Sequence, residues 1–229
     1  MSKLNINKLN KKLPTVYLNA GHGAIHPVTG KYMTHPRHGK FYIFEDKANE
    51  VAYEGVLNRL FAEAFALEAT ALGLRVIKVY HPFLDLPNVA RLAIANGDYL
   101  KNKPVKSLWL SFHSNAFGMA GKGVSLSPRG FSLFTTEGET RADAIGEKVL
   151  RAVKTLVPPY GFSVREDRID GDGDFEANFD ELYFSMMPAV LMENLFFTNF
   201  DDFALLRNAS YQKDFAKVVA DAVWGCLAL

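Results

Sequence analysis

Three short apolar runs, each closing on a residue that can bind a metal or move a proton, constrain the fold of this chain more than any other feature. Thr15-Val16-Tyr17-Leu18-Asn19-Ala20 runs into Gly21-His22-Gly23. Ser107-Leu108-Trp109-Leu110-Ser111-Phe112 runs into His113-Ser114-Asn115, and Pro188-Ala189-Val190-Leu191-Met192 runs into Glu193-Asn194. Short apolar runs separated by helical patterns predict buried strands joined by crossovers. The fold class expected is therefore α/β: a single open, twisted, mostly parallel sheet with helices on both faces. Ligands of such sheets bind beyond the carboxyl ends of the strands. His22, His113 and Glu193 are delivered to that one edge, which is the beginning of a zinc hydrolase site.

The chain has 229 residues, enough for one substantial α/β domain and marginal for two. We expect a polar tail over residues 1–13 and a catalytic domain over 14–229. Lys and Arg total 26 against 25 Asp and Glu, a balance that argues against a nucleic-acid binder living on phosphate contacts. The single cysteine, Cys226, rules out an intramolecular disulfide and a cysteine-based zinc knuckle. It falls in a helical pattern with Val219, Ala222 and Val223, which reads as packing. Residues 1–12 lack the apolar centre of a secretory signal. No apolar run approaches the ~20 residues that span a bilayer. The expectation is a protein with no membrane span, made in the cytoplasm and brought to its site of action by release or delivery.

Between the first run and residue 44 lies a long connection rich in Gly, Pro, His and Tyr, of the kind that forms lids or rims. Asn49 is placed to cap a helix that Gly73 stops. Val51, Leu57, Phe61, Ala64 and Phe65 share one face of it, with Glu54 on the same stripe. A carboxylate on an apolar face must be exposed at an edge, paired, or bound to a metal. Further along, the pattern predicts a strand over 74–80, a helix over 86–100 and extended segments within 121–135. A helix over 139–156 follows, ended by Pro158-Pro159. After an irregular acidic stretch over 160–183 and the third strand, helices are expected over 201–207 and 211–227.

Several separate pieces fall in an order that resembles the amidase-3 type of zinc-dependent N-acetylmuramoyl-L-alanine amidases. They are Gly21-His22-Gly23 after a strand, Glu54 with Asn58 opening a helix, Arg91 with Ala95-Asn96, and Ser111-Phe112-His113-Ser114-Asn115-Ala116. Pro188 to Glu193, Thr198-Asn199 before Asp201-Asp202, and Tyr211-Gln212 complete the series. Two departures stand out. The family pattern has Asp-Pro before Gly-His-Gly, where this chain has Asn19-Ala20, and the connection from His22 to Glu54 is long.

The resemblance implies His22, Glu54 and His113 as zinc ligands, a set suited to catalytic zinc with an open position. Glu45 and Glu50 compete for the carboxylate role by position; the family spacing to Asn58 and Gly73 selects Glu54. It implies Glu193 as the acid/base residue, taking a proton from water and passing it to the leaving amine of L-alanine. Burial after an apolar run favours that role by raising its pKa. Ser114, Asn115 and His81 are candidates for substrate contact, with turn formation the plainer role for the first two. Arg91 and Asn96 are expected to tie a helix to loops. His26, His35 and His38 read as loop or rim. Asp170-Gly171-Asp172-Gly173-Asp174, with Glu181 twelfth, looks like a calcium loop, but Phe175 stands where such a loop needs Gly; a solvated acidic loop is expected instead. The cluster Phe196-Phe197, Phe200 and Phe203 reads as core. The implied partner is peptidoglycan. A zinc peptidase acting on stem peptides and a non-catalytic peptidoglycan-binding module are the rival readings. A phage-type lysin is the first expectation for its setting, ahead of a delivered effector and a cell-separation enzyme.

Overall fold

The computed structural model describes residues 13–118, 121–169 and 171–228. The expected tail lies almost wholly outside them. In chain order the elements are β1 (Thr15–Ala20), β2 (Phe41–Phe44), β3 (Glu50–Tyr53), α1 (Glu54–Ala71), β4 (Arg75–Lys78), α2 (Asn88–Asn102), β5 (Ser107–Asn115), β6 (Gly121–Gly123) and β7 (Ser132–Thr135). They continue with α3 (Arg141–Lys154), α4 (Val157–Tyr160), β8 (Phe175–Glu176), α5 (Asp180–Tyr183), β9 (Ala189–Phe196), α6 (Phe200–Leu206) and α7 (Ala209–Leu227).

Six strands form the main sheet in the order β4-β1-β5-β9-β7-β8. β4, β1, β5 and β9 run parallel; β7 is antiparallel to β9, and β8 follows β7 in parallel. The three runs seen in the sequence are thus adjacent central strands, and their carboxyl ends share one edge. Strand alternation sorts their side chains. Val16, Leu18, Ala20, Leu108, Leu110, Phe112, Val190 and Met192 join one core with residues of α1, α3, α6 and α7. Tyr17, Trp109, Ala189 and Leu191 join a smaller core with Leu92 and Ala95 of α2 and Leu182 of α5. Helices therefore cover both faces.

Helix boundaries follow local chemistry. Thr140 and Asp143 make a reciprocal capping box at the start of α3. Asn199 caps α6 by accepting from the Asp202 N–H, and Asn208 caps α7 through Ser210 and Tyr211. Phe215 of α7, fully buried, packs its ring edge-on against Phe61 at 5.4 Å and lies 5.8 Å from Phe131.

Four expectations are corrected. Residues 50–53 form a strand, not the first turn of a helix, because Ala48 and Asn49 turn through left-handed φ of 53° and 58° and fold β3 back onto β2. α1 begins at Glu54 after Tyr53, without a side-chain cap, so Val51 is not on its face. The long connection builds a second sheet, β3-β2-β6, beside the main one. Pro158-Pro159 do not terminate α3; they open the short α4, where proline's missing N–H costs nothing.

The acidic stretch is also less solvated than expected. Asp174 is 1% exposed, and its Oδ2 accepts from Thr135 Oγ1 at 2.5 Å. Burial, reinforced by Asp172, raises its pKa from 3.8 to about 7. A carboxylate whose folded pKa lies above its unfolded value weakens the fold as pH rises between the two. Asp174→Asn is expected to raise the unfolding midpoint at pH 8 and to change it little at pH 4, measured by thermal melts across that window. Phe215→Ala is expected to cost about 3–5 kcal/mol in denaturant unfolding.

Candidate active site

The loop after β1 carries the first histidine in a constrained backbone. His22 has φ 62°, a left-handed value that few non-glycine residues adopt. Its carbonyl is held by two buried arginines, Arg59 Nη2 at 2.8 Å and Arg91 Nη2 at 3.2 Å. Arg91 also reaches Ala20 O and Asn19 Oδ1, both at 2.6 Å, and Arg59 donates to the carbonyls of Gly55 and His81. The flanking glycine has a steric reason: a Cβ on Gly21 would fall inside the His113 ring. A Cβ on Gly55 would likewise overlap the Gly23 carbonyl oxygen, so only Gly lets α1 start this close to the loop.

Glu54, first residue of α1, is 1% exposed, and its Oε1 lies 3.3 Å from His22 Nε2 and 3.0 Å from His113 Nδ1. The three side chains offer ligand atoms within 4.8 Å of one another. Asn58, one turn along α1, donates to Gly21 O at 3.2 Å and to Glu54 Oε1 at 3.4 Å. Lys40 Nζ stands 3.3 Å from Glu54 Oε2. Even so, among the described residues His22 Nε2 and Glu54 Oε2 have these ion-pair contacts but no hydrogen bond, and Glu193 Oε2 has none either. Buried polar atoms without a hydrogen bond are rare. Two imidazoles and a carboxylate whose spare lone pairs converge fit a divalent cation with N and O donors.

The electrostatics agree. Burial would raise the Glu54 pKa, but His22, His113 and Lys40 overcome it and hold the carboxyl well below the usual range. Burial lowers His22 more than Glu54 lifts it. For His113 the burial penalty is outweighed by hydrogen bonds to Glu181 and Glu54, which lift it to about 10. The pocket is thus built around positive charge.

Glu193 is the register partner of His113 across the parallel β5–β9 pair, where the ladder shifts between His113 and Asn115. Leu195, buried with φ 60°, marks the same irregularity on β9. Such bulges re-aim side chains beside active sites. Burial raises the Glu193 pKa to about 7, with His113 and Lys40 opposing and Glu54 and Glu181 adding. Glu193 opens into a cleft of about 470 Å³ whose walls include Arg37, His38, Lys40, Ser114 and Asn115.

His22, Glu54 and His113 are therefore brought together, with Glu193 beside them. Ser114 is 2% exposed and donates to Asn58 Oδ1 at 3.3 Å; Asn115 Oδ1 accepts from the Ala116 N–H at the cleft wall. His81 is not brought to the cleft: its Nδ1 accepts from the N–H groups of Phe83 and Leu84, and its carbonyl takes Arg59. Asn96 ties α2 to the carbonyl of Phe184 and the N–H of Met186. Sequence reasoning missed three residues: Arg59, Lys40 and Glu181. Arg59 left a weak trace, lying on the same helix as Glu54 and Asn58. Lys40 and Glu181 left none, since each reaches the site from a segment that reads as a polar loop.

An open, mostly parallel α/β sheet thus carries at one edge a His–Glu–His group able to hold a metal ion, with a carboxylate beside it, the kind of site that serves hydrolases. Residues 16–224 match the amidase-3 family of N-acetylmuramoyl-L-alanine amidases, and the chain belongs to that family. It is an enzyme that hydrolyses the amide bond between N-acetylmuramic acid and L-alanine in peptidoglycan. Its fold is similar to that of an N-acetylmuramoyl-L-alanine amidase from Clostridium difficile 630, at 19% identity and TM-score 0.66, covering 96% of this chain and 98% of that one. The catalytic domain of CwlV from Bacillus (Paenibacillus) polymyxa var. colistinus aligns at 23% identity and TM-score 0.64, covering 94% and 98%. AmiC2 of Nostoc punctiforme aligns at 18% identity and TM-score 0.62, covering 95% and 98%. No curated protein matches the chain significantly. Among the described residues no helix is long and apolar enough to cross a membrane.

Gly21→Ala is expected to unseat the His113 imidazole and abolish stoichiometric metal binding while the sheet persists. Metal content after dialysis, beside circular dichroism, checks it.

Proposed function

We propose that the cation is zinc, that His22, Glu54 and His113 hold it, and that Glu193 is the acid/base residue of the amidase reaction. The observation carrying this reading is the convergence of ligand atoms of His22, Glu54 and His113 within 4.8 Å at one sheet edge, with Glu193 beside them. Two neutral imidazoles and one carboxylate are a common catalytic zinc set. When bound, the ion supplies Lewis-acid assistance at the scissile carbonyl and makes water more acidic.

The chain's own residues do the rest. Glu193 Oε2, which has no hydrogen bond among the described residues, accepts the proton of the attacking water. The same carboxyl then returns that proton to the departing nitrogen of L-alanine, so the leaving group departs as an amine and not an amide anion. A pKa lifted by burial suits a group that must both take and give a proton near neutral pH. The wall formed by Arg37, His38 and Lys40 on one side and Ser114 and Asn115 on the other receives the substrate. Asn115 is the residue of this wall best placed to meet it through a side-chain amide. His81 is left out of the substrate-binding set, because its ring is committed to a turn.

Glu193→Gln is expected to lower the rate on purified peptidoglycan by about 10²–10⁴-fold with zinc content unchanged. Mass spectrometry of the wild-type digest should yield free stem peptides with N-terminal L-alanine. Cuts confined to bonds inside the stem would replace this reading with a peptidase, and full activity in the variant would remove Glu193 from the chemistry.

A further inference from the structure

His113 has two ring nitrogens, and both face carboxylates. Nδ1 lies 3.0 Å from Glu54 Oε1; Nε2 lies 3.1 Å from Glu181 Oε1. Glu181 stands on the short α5, which covers the sheet face opposite α1, and is 4% exposed. Its other oxygen accepts from Asn19 Nδ2 at 2.8 Å and from Trp109 Nε1 at 3.1 Å. Indole N–H donates and never accepts. The donors around Glu181 are therefore satisfied by an ionised carboxylate, and the His113 nitrogen facing it must carry a proton. A cation held beside Glu54 and His22 would then meet Nδ1, displacing the proton that this nitrogen otherwise shares with Glu54.

Asn19 explains how a second carboxylate is tolerated here. Its Oδ1 accepts from Arg91 Nη1 at 2.6 Å, which fixes the amide so that its NH₂ faces Glu181 and Ser111 Oγ. An aspartate at 19, the type the family pattern places there, would set two carboxylates in contact at 2.8 Å. The neutral amide at 19 and the carboxylate at 181 are thus a matched pair, and Arg91 links that pair to the carbonyl of His22.

We propose that Glu181 is a positioning residue of the metal site, fixing the ring orientation and donor nitrogen of His113, with Asn19 as its obligatory neutral partner. The inference rests on the metal-site reading above. Outer-shell carboxylates of this kind keep a ligating histidine in the correct tautomer, and losing one typically weakens metal binding by about 10–100-fold.

The test is the affinity for Zn²⁺, measured by competition with a chromophoric chelator on the full chain, beside an unfolding melt of each metal-free protein. Glu181→Gln and Asn19→Asp are each expected to bind Zn²⁺ about 10–100-fold more weakly than wild type. In the zinc-loaded wild type the His113 Nε2 proton should give a slowly exchanging NMR resonance that Glu181→Gln loses. A folded Glu181→Gln with wild-type Zn²⁺ affinity, whatever its melting point, overturns the inference. If Glu181→Gln fails to fold, Asn19→Asp decides, and wild-type affinity in that variant overturns the inference. A wild-type chain that binds no Zn²⁺ would instead sink the metal site itself.

Discussion

The rest of the site depends on one buried carboxylate. Glu54 is sealed from water, and removing an ionised carboxylate from water costs several kcal/mol unless opposite charge and hydrogen bonds replace the solvent. His22, His113 and Lys40 supply the charge and Asn58 a hydrogen bond. The position itself helps, because a negative group on the first residue of a helix meets the positive end of the macrodipole. Even so, Oε2 of Glu54 has no hydrogen bond among the described residues. The proposed cation would complete the arrangement.

The rigidity behind this edge comes from unlike sources on the two sides of the sheet. On one side α7 packs against α1 through the rings of Phe215 and Phe61, and the aliphatic Val149, Leu150 and Val153 of α3 belong to the same core, an apolar support. On the other, buried polar groups run from Arg91 through Asn19 and Glu181 to His113. A satisfied buried network of this kind is directional in a way that apolar packing is not. It can hold an imidazole in one orientation and a carbonyl in a strained loop. The left-handed His22 and the positive φ of Leu195 persist because both lie where the surroundings over-determine them.

The long connection after β1 contributes more than a rim. By folding β2 and β3 back on one another and pairing β2 with β6, it sets Lys40 against Glu54 and lines the cleft opposite Ser114 and Asn115. The Glu54 N–H donates to the Lys40 carbonyl at 3.0 Å, so the start of α1 and this wall are tied together. Access to Glu193 and the charge beside Glu54 are therefore set by the same segment.

The central strands and their shared carboxyl edge are legible in the sequence, and the resemblance to a known family points to His22, Glu54, His113 and Glu193, which the fold brings together. The physical reason for the first is local, since apolar runs of strand length are written in contiguous residues. The start of α1 is misplaced by four residues, because hydrophobic spacing over 50–53 serves a strand as well as a helix, and left-handed turns at Ala48 and Asn49 carry no apolar signal. Only the tertiary structure decided the second sheet and the roles of Lys40, Arg59, Asn19 and Glu181. Each of these acts on a residue distant in sequence, Glu181 on His113 across 68 positions and Arg59 on His22 across 37. A charged residue in a polar stretch reads the same whether it ends in water or under a sheet. Chain folding alone settles which, by placing a donor within reach.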